Sequence, residues 1–541
     1  MRKWLMVGTA VAALTCAAVG QNARQAQNCE ALVKLALPKV QITSAQAVAA
    51  GAFTPPANET PWLRGEPGFY KRLAPFCRVT AVAKPSADSD IRIEIWMPLS
   101  GWNGRFRGQG NGGFAGEIDY HAMGASVGDG YATAATDTGH TGSGIDARWA
   151  LGHPQKIVDF GYRAIHEMTR AGKATTRAFY GQAPRHAYFA SCSNGGRQAL
   201  MEAQRFPADY DGILAGAPAN FWTHLLSDAL WNARALTAEA GSYIPPSKLP
   251  AIASAVNAAC DAQDGVTDGI LNDPRQCHFD PASLQCKQSD TDQCLTGAQV
   301  TALKKLYAGA HDSRGRQIYP GFLPGAELGQ GGWGLWITGN APGKSLLFAF
   351  GVGYFSNMVY DQAGWDFKTS SFDQAVQAAD SKTARILNAT DPNLARFHRR
   401  GGKLILYHGW NDPAISALNS INYYQQVVAA MGQKTADSFL RLYLAPGMQH
   451  CAGGVGPDSF GEAGSTAPKD AGHNMQVALE NWVEQDTAPG AFVAAKYAGE
   501  DPASGVKMTR PLCPYPQQVK YKGQGDPNQA SSFECAVGGA K

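Results

Sequence analysis

The chain has 541 residues, 44% hydrophobic and 17% charged, a composition that belongs to folded globular proteins and excludes a disordered chain. That length exceeds what one hydrophobic core usually organises, so two units, or one core with a large insertion, are expected. The formal net charge is only +3 and no Lys/Arg run occurs, which argues against nucleic acid as a partner.

At the N-terminus Arg2 and Lys3 precede an apolar stretch from Trp4 to Val19, which ends in small residues before Gln21 and Asn22. This is the layout of a secretory signal peptide over residues 1–20, with cleavage near Gly20. Cys16, after Ala13-Leu14-Thr15, would be a poor lipoprotein site. The apolar stretch is short for a membrane span, and no other segment could cross a bilayer. The expected destination is therefore the periplasm or the medium. Without Cys16, ten of the 11 cysteines remain, and an even number in an exported chain suggests five disulfides. Local spacing pairs Cys29 with Cys77, Cys260 with Cys277, Cys286 with Cys294 and Cys513 with Cys535. Cys192 and Cys451 are left over, far apart in the chain.

Cys29 to Lys84 reads as a lead-in with Pro/Gly turns, and Ile91 to Met97 alternates as a half-buried strand should. Gly108 to Gly116 then holds many glycines, which suit a place where backbone must approach a ligand closely. Tyr131 to Thr136 is another small strand, and Val158 to Phe179 has helical periodicity. The apolar run Ala187 to Ala190 stops at Ser191-Cys192-Ser193-Asn194-Gly195-Gly196, and a helical pattern follows through Arg205. Asp211 to Pro218 reads as the next buried strand. Strands alternating with helices indicate a mostly parallel α/β sheet. From Phe221 to Phe397 that rhythm gives way to helical patches, cysteine-rich loops and a dense aromatic stretch including Trp333, Trp336, Phe350 and Trp365. Lys403 to Tyr407 and Arg441 to Leu444 resume the sheet. The expected organisation is an α/β core from residues 21–220 and 398–541, with 221–397 inserted as a lid.

Strand, tight turn of small residues, then helix is the setting of a nucleophile elbow, which lifts Ser193 to the top of a sheet. Ser191 stands where such an elbow usually has its first glycine. The helix that starts there turns its free N–H groups and positive end toward a reacting oxygen. A serine nucleophile needs a base, and the base needs an orienting carboxylate. Asp412 lies in a loop after the strand at Lys403–Tyr407, where such sheets keep functional groups. Beyond it only His450 and His473 remain, and His450 follows a strand while His473 opens a helix as a surface or capping residue. The order Ser193, Asp412, His450 fits an α/β-hydrolase. Cys192 precedes the candidate nucleophile and Cys451 follows the candidate base, so a bond between them would hold His450 beside Ser193.

A second constellation runs from Cys260 to Cys277. Asp261, Asp264 and Asp268 would repel one another in so short a loop without a cation, and hard oxygen donors suit Ca²⁺. Val266 and Ile270 would add backbone carbonyls. Because the loop lies in the inserted unit, the expected role of the metal is structural.

With these residues in view, the chain resembles the tannase and feruloyl esterase family of α/β-hydrolases, which includes mono(2-hydroxyethyl) terephthalate hydrolase. The resemblance rests on Cys192-Ser193 with His450-Cys451, on Tyr407-His-Gly-Trp-Asn-Asp412, and on the Asp261–Ile270 loop. Leu512-Cys-Pro-Tyr-Pro516 and Lys520-Tyr-Lys-Gly523 look like the family too. The resemblance implies a Ser193/His450/Asp412 triad, oxyanion donors at the N–H groups of Gly113 and Asn194, and structural Ca²⁺. It also implies a small aromatic ester as substrate, with no organic cofactor. In the terephthalate hydrolase a lid arginine receives the free carboxylate. Here Lys344 is the only basic residue between Trp336 and Trp365, which favours hydroxycinnamate or gallate esters. The competing expectations are a terephthalate monoester hydrolase and a non-catalytic, calcium-stabilised binding protein.

Overall fold

The computed structural model describes residues 28–56, 67–462 and 467–537. The expected signal peptide, with Cys16, lies outside the described residues.

Nine strands form the main sheet: β1 (Val40–Val48), β2 (Phe76–Ala83), β3 (Ile91–Pro98), β4 (Arg105–Gln109), β5 (Ala132–Thr136), β6 (His186–Cys192), β7 (Gly212–Gly216), β8 (Lys403–Gly409) and β9 (Leu440–Ala445). Their spatial order is β1-β2-β3-β5-β4-β6-β7-β8-β9. The pairs β1–β2, β2–β3 and β3–β5 are antiparallel, and every pair from β5–β4 to β8–β9 is parallel. The stretch expected as a lead-in therefore supplies two strands. β2 alternates cleanly in burial, but β1 is an edge strand with only Ile42 buried, so its apolar period is faint.

α1 (Tyr120–Gly128) connects β4 to β5. Strand periodicity divides the core between two faces. Phe189, Ile213, Leu404 and Leu406 face one side, where they pack with Ile165 and Met168 of α2 (Ala164–Tyr180) and Leu200 of α3 (Asn194–Arg205). Tyr188, Ala190, Leu214 and Ile405 face the other, against Met475, Leu479 and Trp482 of the helix Met475–Gln485. Between β7 and β8 the chain supplies no strand to this sheet. It runs through α4 (Trp222–Thr237), α5 (Leu346–Tyr354) and α6 (Phe372–Leu387), and Ile252, Leu303, Leu306 and Trp333 form an apolar cluster of its own.

After β9 the chain adds two hairpins, β10 (Phe492–Tyr497) with β11 (Val506–Leu512), and β12 (Gln517–Tyr521) with β13 (Phe533–Val537). All five cysteine pairs read from spacing and by elimination are bonded, with Cα–Cα distances between 5.0 and 6.0 Å. Among the described residues no helix is long and apolar enough to cross a membrane.

Candidate active site

β6 ends at Cys192 and α3 begins at Asn194, so Ser193 alone makes the turn between them. It does so at φ 66 and ψ −126, a conformation unusual for a non-glycine residue and held by backbone bonds to β7 and the loop after it as well as by the first turn of α3. Its N–H donates to Gly216 at 2.9 Å, and its carbonyl accepts from Ala219 at 3.1 Å. The missing first glycine of the elbow is accommodated from the opposite side. Ser191 Oγ fills the space beside Gly195, where a Cβ would lie 1.9 Å from it.

β8 delivers Asp412 and β9 delivers His450, each through a short loop past the strand end. His450 Nε2 stands 2.9 Å from Ser193 Oγ, and Nδ1 stands 2.7 Å from Asp412 Oδ2. The carboxylate fixes the tautomer: Nδ1–H donates to Asp412, which leaves Nε2 to accept the serine hydroxyl. Asp412 is buried, which by itself would raise its pKa. The charge and hydrogen bonds of His450 and His408 outweigh burial and hold the carboxyl well below its usual range. Oδ1 also accepts from the N–H groups of Ala414 and Ile415 at 2.8 and 2.9 Å. The Cys192–Cys451 bond spans the two sides of this arrangement.

Gly113 adopts φ +53 and packs so closely that a Cβ would lie 2.2 Å from the Gly144 carbonyl. Its neighbour Phe114 donates to that same carbonyl at 2.7 Å. Two further ties hold the loop. Asn111 N–H donates to Gln198 Oε1 of α3 at 2.9 Å, and His140 Nε2 donates to the Phe114 carbonyl at 2.9 Å. Burial pushes His140 down to about 3, so it stays neutral while its ring stacks on Trp149. Asn194 opens α3, where the first N–H groups have no partner within the helix. The structure thus brings Gly113, Ser193 and Asn194 onto one loop-and-helix frame. Aromatic residues of the segment between β7 and β8 lie against it. Trp336 meets His450 edge-on at 4.9 Å, and Phe350 lies 3.2 Å from the Cβ position of Gly113. The Trp336 and Phe350 rings are 15° from parallel with centroids 6.3 Å apart.

Residues 77–536 match the family model described as tannase and feruloyl esterase. The chain is 42% identical to an uncharacterized esterase of Xanthomonas campestris pv. campestris, over 98% of this chain and 95% of that protein. It is 33% identical to a probable feruloyl esterase B-2 of Aspergillus terreus, over 86% of each chain. The chain belongs to the tannase and feruloyl esterase family. The crystal structure of feruloyl esterase B from Aspergillus oryzae superposes with a TM-score of 0.84 at 30% identity, covering 95% of this chain and all of that one. A tannin acyl hydrolase from Aspergillus niger shares the fold, with a TM-score of 0.73 at 24% identity, over 94% of this chain and 95% of that one. This family member is a carboxylic ester hydrolase with an α/β fold.

In this esterase the acidic loop begins with a 3₁₀ turn, Asp261–Asp264, and the Cys260–Cys277 bond closes it. Asp261 accepts from Gly269 N–H at 2.9 Å, Asp264 from Asn272 N–H at 3.0 Å, and Asp268 from Ile270 N–H at 3.0 Å. Arg510 of β11 pairs with Asp268 at 2.7 Å. Burial, with the Asp268 charge contributing, raises the Asp264 carboxyl. Among the described residues the carbonyls of Val266 and Ile270 accept no hydrogen bond. Three carboxylates, one of them raised by burial and a neighbouring charge, and two spare carbonyls fit a hard cation in donor chemistry. Among the described residues, the groups of three His, Cys, Asp or Glu side chains whose ligand atoms all come within 4.8 Å of one another lie elsewhere, at Cys286/Asp290/Cys294, where the two cysteines are bonded to each other, and at His166/Glu202/Asp209.

Two residues escaped the reading of the sequence. His408 sits four residues before Asp412 in the same motif, fully buried, with Nε2 at 3.1 Å from Asp412 Oδ2 and 2.9 Å from the Ile415 carbonyl. Its Nδ1 accepts from Ser420 at 2.7 Å, so it orients the carboxylate as a second donor. Arg197, inside the elbow stretch itself, is buried beside Asn194. His473 is partly exposed and pairs with Asp470 at 2.9 Å, as expected of a surface residue.

Proposed function

We propose that this esterase hydrolyses esters of aromatic acids through an acyl-enzyme on Ser193. The observation that carries the reading is the relay Asp412–His450–Ser193, with both of its bonds at 2.7 to 2.9 Å. His450 Nε2 takes the hydroxyl proton as Ser193 Oγ attacks the ester carbon. The N–H groups of Gly113 and Asn194 receive the oxygen that gains charge, a term worth roughly 3–4 kcal/mol per donor in comparable sites. Asp412 holds the imidazole in its tautomer and stabilises the imidazolium. His450 then gives its proton to the leaving alcohol, and water, deprotonated in turn by His450, releases the acid.

The substrate class follows from the wall of the site. Trp336 and Phe350 offer flat apolar faces to an aryl group, and Phe350, not a cation, lies against Gly113. Lys344 is exposed. This supports hydroxycinnamate or gallate esters over a terephthalate monoester with its second carboxylate. The names of the relatives point the same way. The inserted segment, residues 221–397, acts as a lid. Asp261, Asp264 and Asp268, with the carbonyls of Val266 and Ile270, would hold Ca²⁺, which neutralises their mutual repulsion and leaves the ester chemistry to the triad. Export, to the periplasm or the medium, is supported by the N-terminal leader and by five disulfides.

The test is hydrolysis of methyl ferulate, methyl gallate and mono(2-hydroxyethyl) terephthalate by the purified protein. One of the first two should be preferred, and Ser193→Ala should lower kcat on the order of 10⁶-fold without unfolding the chain. Dominant terephthalate activity would reverse the substrate argument. An active Ser193→Ala enzyme would remove the acyl-enzyme.

A further inference from the structure

Arg197 stands one turn into α3, and the reaction outlined above gives it no part. Its side chain has no exposed surface. Nε donates to Asn194 Oδ1 at 2.8 Å, Nη1 to the carbonyls of Gly161 and Leu387 at 2.8 and 3.3 Å, and Nη2 to the Phe160 carbonyl at 3.0 Å. The rings of Phe160 and Trp222 flank the guanidinium, with centroids 4.7 and 5.1 Å away. Every one of these partners is neutral. Arg510 is equally buried, but it pairs with Asp268 at 2.7 Å. Among the described residues no carboxylate pairs with Arg197, and burial alone lowers its pKa, to about 9. The guanidinium therefore keeps its proton at neutral pH.

A charge buried without a counter-charge is costly, and carbonyl dipoles and π faces recover only part of that cost. Joining α3 to this wall would not by itself require a cation, because a neutral amide, with its two N–H donors, could bond two of the three carbonyls of Phe160, Gly161 and Leu387. The position of the charge is what distinguishes it. Arg197 grips the side chain of Asn194, whose N–H is one of the two proposed oxyanion donors. Its charge also has the same sign as the N-terminal end of α3.

We propose that Arg197 is a positioning residue whose unmatched charge meets its counter-charge only when the oxyanion forms. The inference rests on the acyl-enzyme reading. In that step the Ser193 Oγ–carbon bond forms, the carbonyl π pair moves onto oxygen, and the hydroxyl proton passes to His450 Nε2. A neutral ester becomes an oxyanion held at Gly113 and Asn194. The substrate carries no such charge, so Arg197 stabilises the transition state more than the bound ester.

The experiment compares two ligands of the full-length enzyme: an aryl trifluoromethyl ketone, which forms a hemiketal oxyanion on Ser193, and the matching aryl amide, which stays neutral. Arg197→Met should lower kcat on the order of 10- to 100-fold with KM little changed. It should weaken the ketone by the same factor and leave the amide alone. Arg197→Lys should keep the preference for the ketone at neutral pH and lose it, relative to wild type, as the buried ammonium gives up its proton in alkali. Equal weakening of both ligands by Arg197→Met would overturn the proposal. If that variant does not fold, the lysine series decides, and a preference independent of pH relative to wild type would overturn it. The acyl-enzyme reading fails separately, through a wild-type enzyme whose Ser193 forms no adduct with the ketone.

Discussion

A buried carboxylate has to be supplied with donors, and two aspartates of this chain show the two outcomes. Asp412 receives His450, His408 and two backbone N–H groups, and stays ionised although fully enclosed. Asp228, inside α4, receives Asn232 Nδ2 at 2.9 Å on one oxygen, while Oδ1 is buried without a hydrogen-bond partner. Burial therefore pushes its pKa up from 3.8 to about 8. Below pH 3.8 the group is protonated whether the chain is folded or unfolded, and its contribution to stability does not change. Between 3.8 and about 8 the unfolded chain ionises while the folded one holds its proton, so stability falls as pH rises. Asp228→Asn is neutral throughout and keeps the bond from Asn232. It should be roughly 1–3 kcal/mol more stable than wild type near pH 8 and no more stable near pH 4, by urea unfolding at both. An equal gain at both pH values would mean that packing, not ionisation, separates the two proteins.

At the scale of elements, the site depends on joining the end of β6 to the loop after β9. The Cys192–Cys451 bond does this across 259 residues of sequence. Replacing both with serine should cost roughly 2–5 kcal/mol of stability. It should also lower kcat by up to ~100-fold, the scale of loss when reacting groups drift by an ångström. An unchanged kcat would show that β9 and its loop hold His450 without the bond. This bond was legible in the sequence, because both cysteines adjoin residues already singled out on chemical grounds. The parallel strands β5 to β9 were legible because each is short, apolar and bounded by turns, whereas β4 was not, since Phe106 is the only large apolar side chain in Arg-Phe-Arg-Gly-Gln. β1 was not, since an edge strand with one buried residue leaves almost no period to read. β11 was hidden differently. Arg510 occupies an inward position there because Asp268 of a distant loop awaits it, which breaks the apolar alternation. His408 and Arg197 stood inside recognised motifs, but their roles depend on partners that only the fold supplies: Ser420 and the Ile415 carbonyl for one, Phe160 and Leu387 for the other.

At the scale of the whole molecule, the chain closes on itself through the acidic loop. The segment between β7 and β8 carries that loop, and the C-terminal hairpins come back to meet it. Arg510 reaches Asp268 and Asn272, and Val266 packs with Cys513, Val519 and Phe533. A cation bound at Asp261, Asp264 and Asp268 would therefore stabilise two distant stretches of chain at once. Its carboxylates take no part in the contacts of Ser193, His450 or Asp412. Chelation should accordingly lower the melting temperature, with the loss set by the binding linkage, about 2.7 kcal/mol at a Ca²⁺ concentration 100 times its Kd. Readdition of Ca²⁺ should restore it, and Mg²⁺ should do so less well, because a loop offering five protein oxygens suits the larger ion. The kcat of enzyme still folded at 25 °C should change by less than ~2-fold, since no step of the ester chemistry passes through the loop. Asp264→Asn should reproduce the loss of melting temperature and make it insensitive to chelator. If chelation instead abolished turnover at an unchanged melting temperature, the metal would belong to the chemistry. If it changed neither, Arg510 and the loop amides would suffice to hold the aspartates, and the union of the inserted segment with the C-terminus would need no ion.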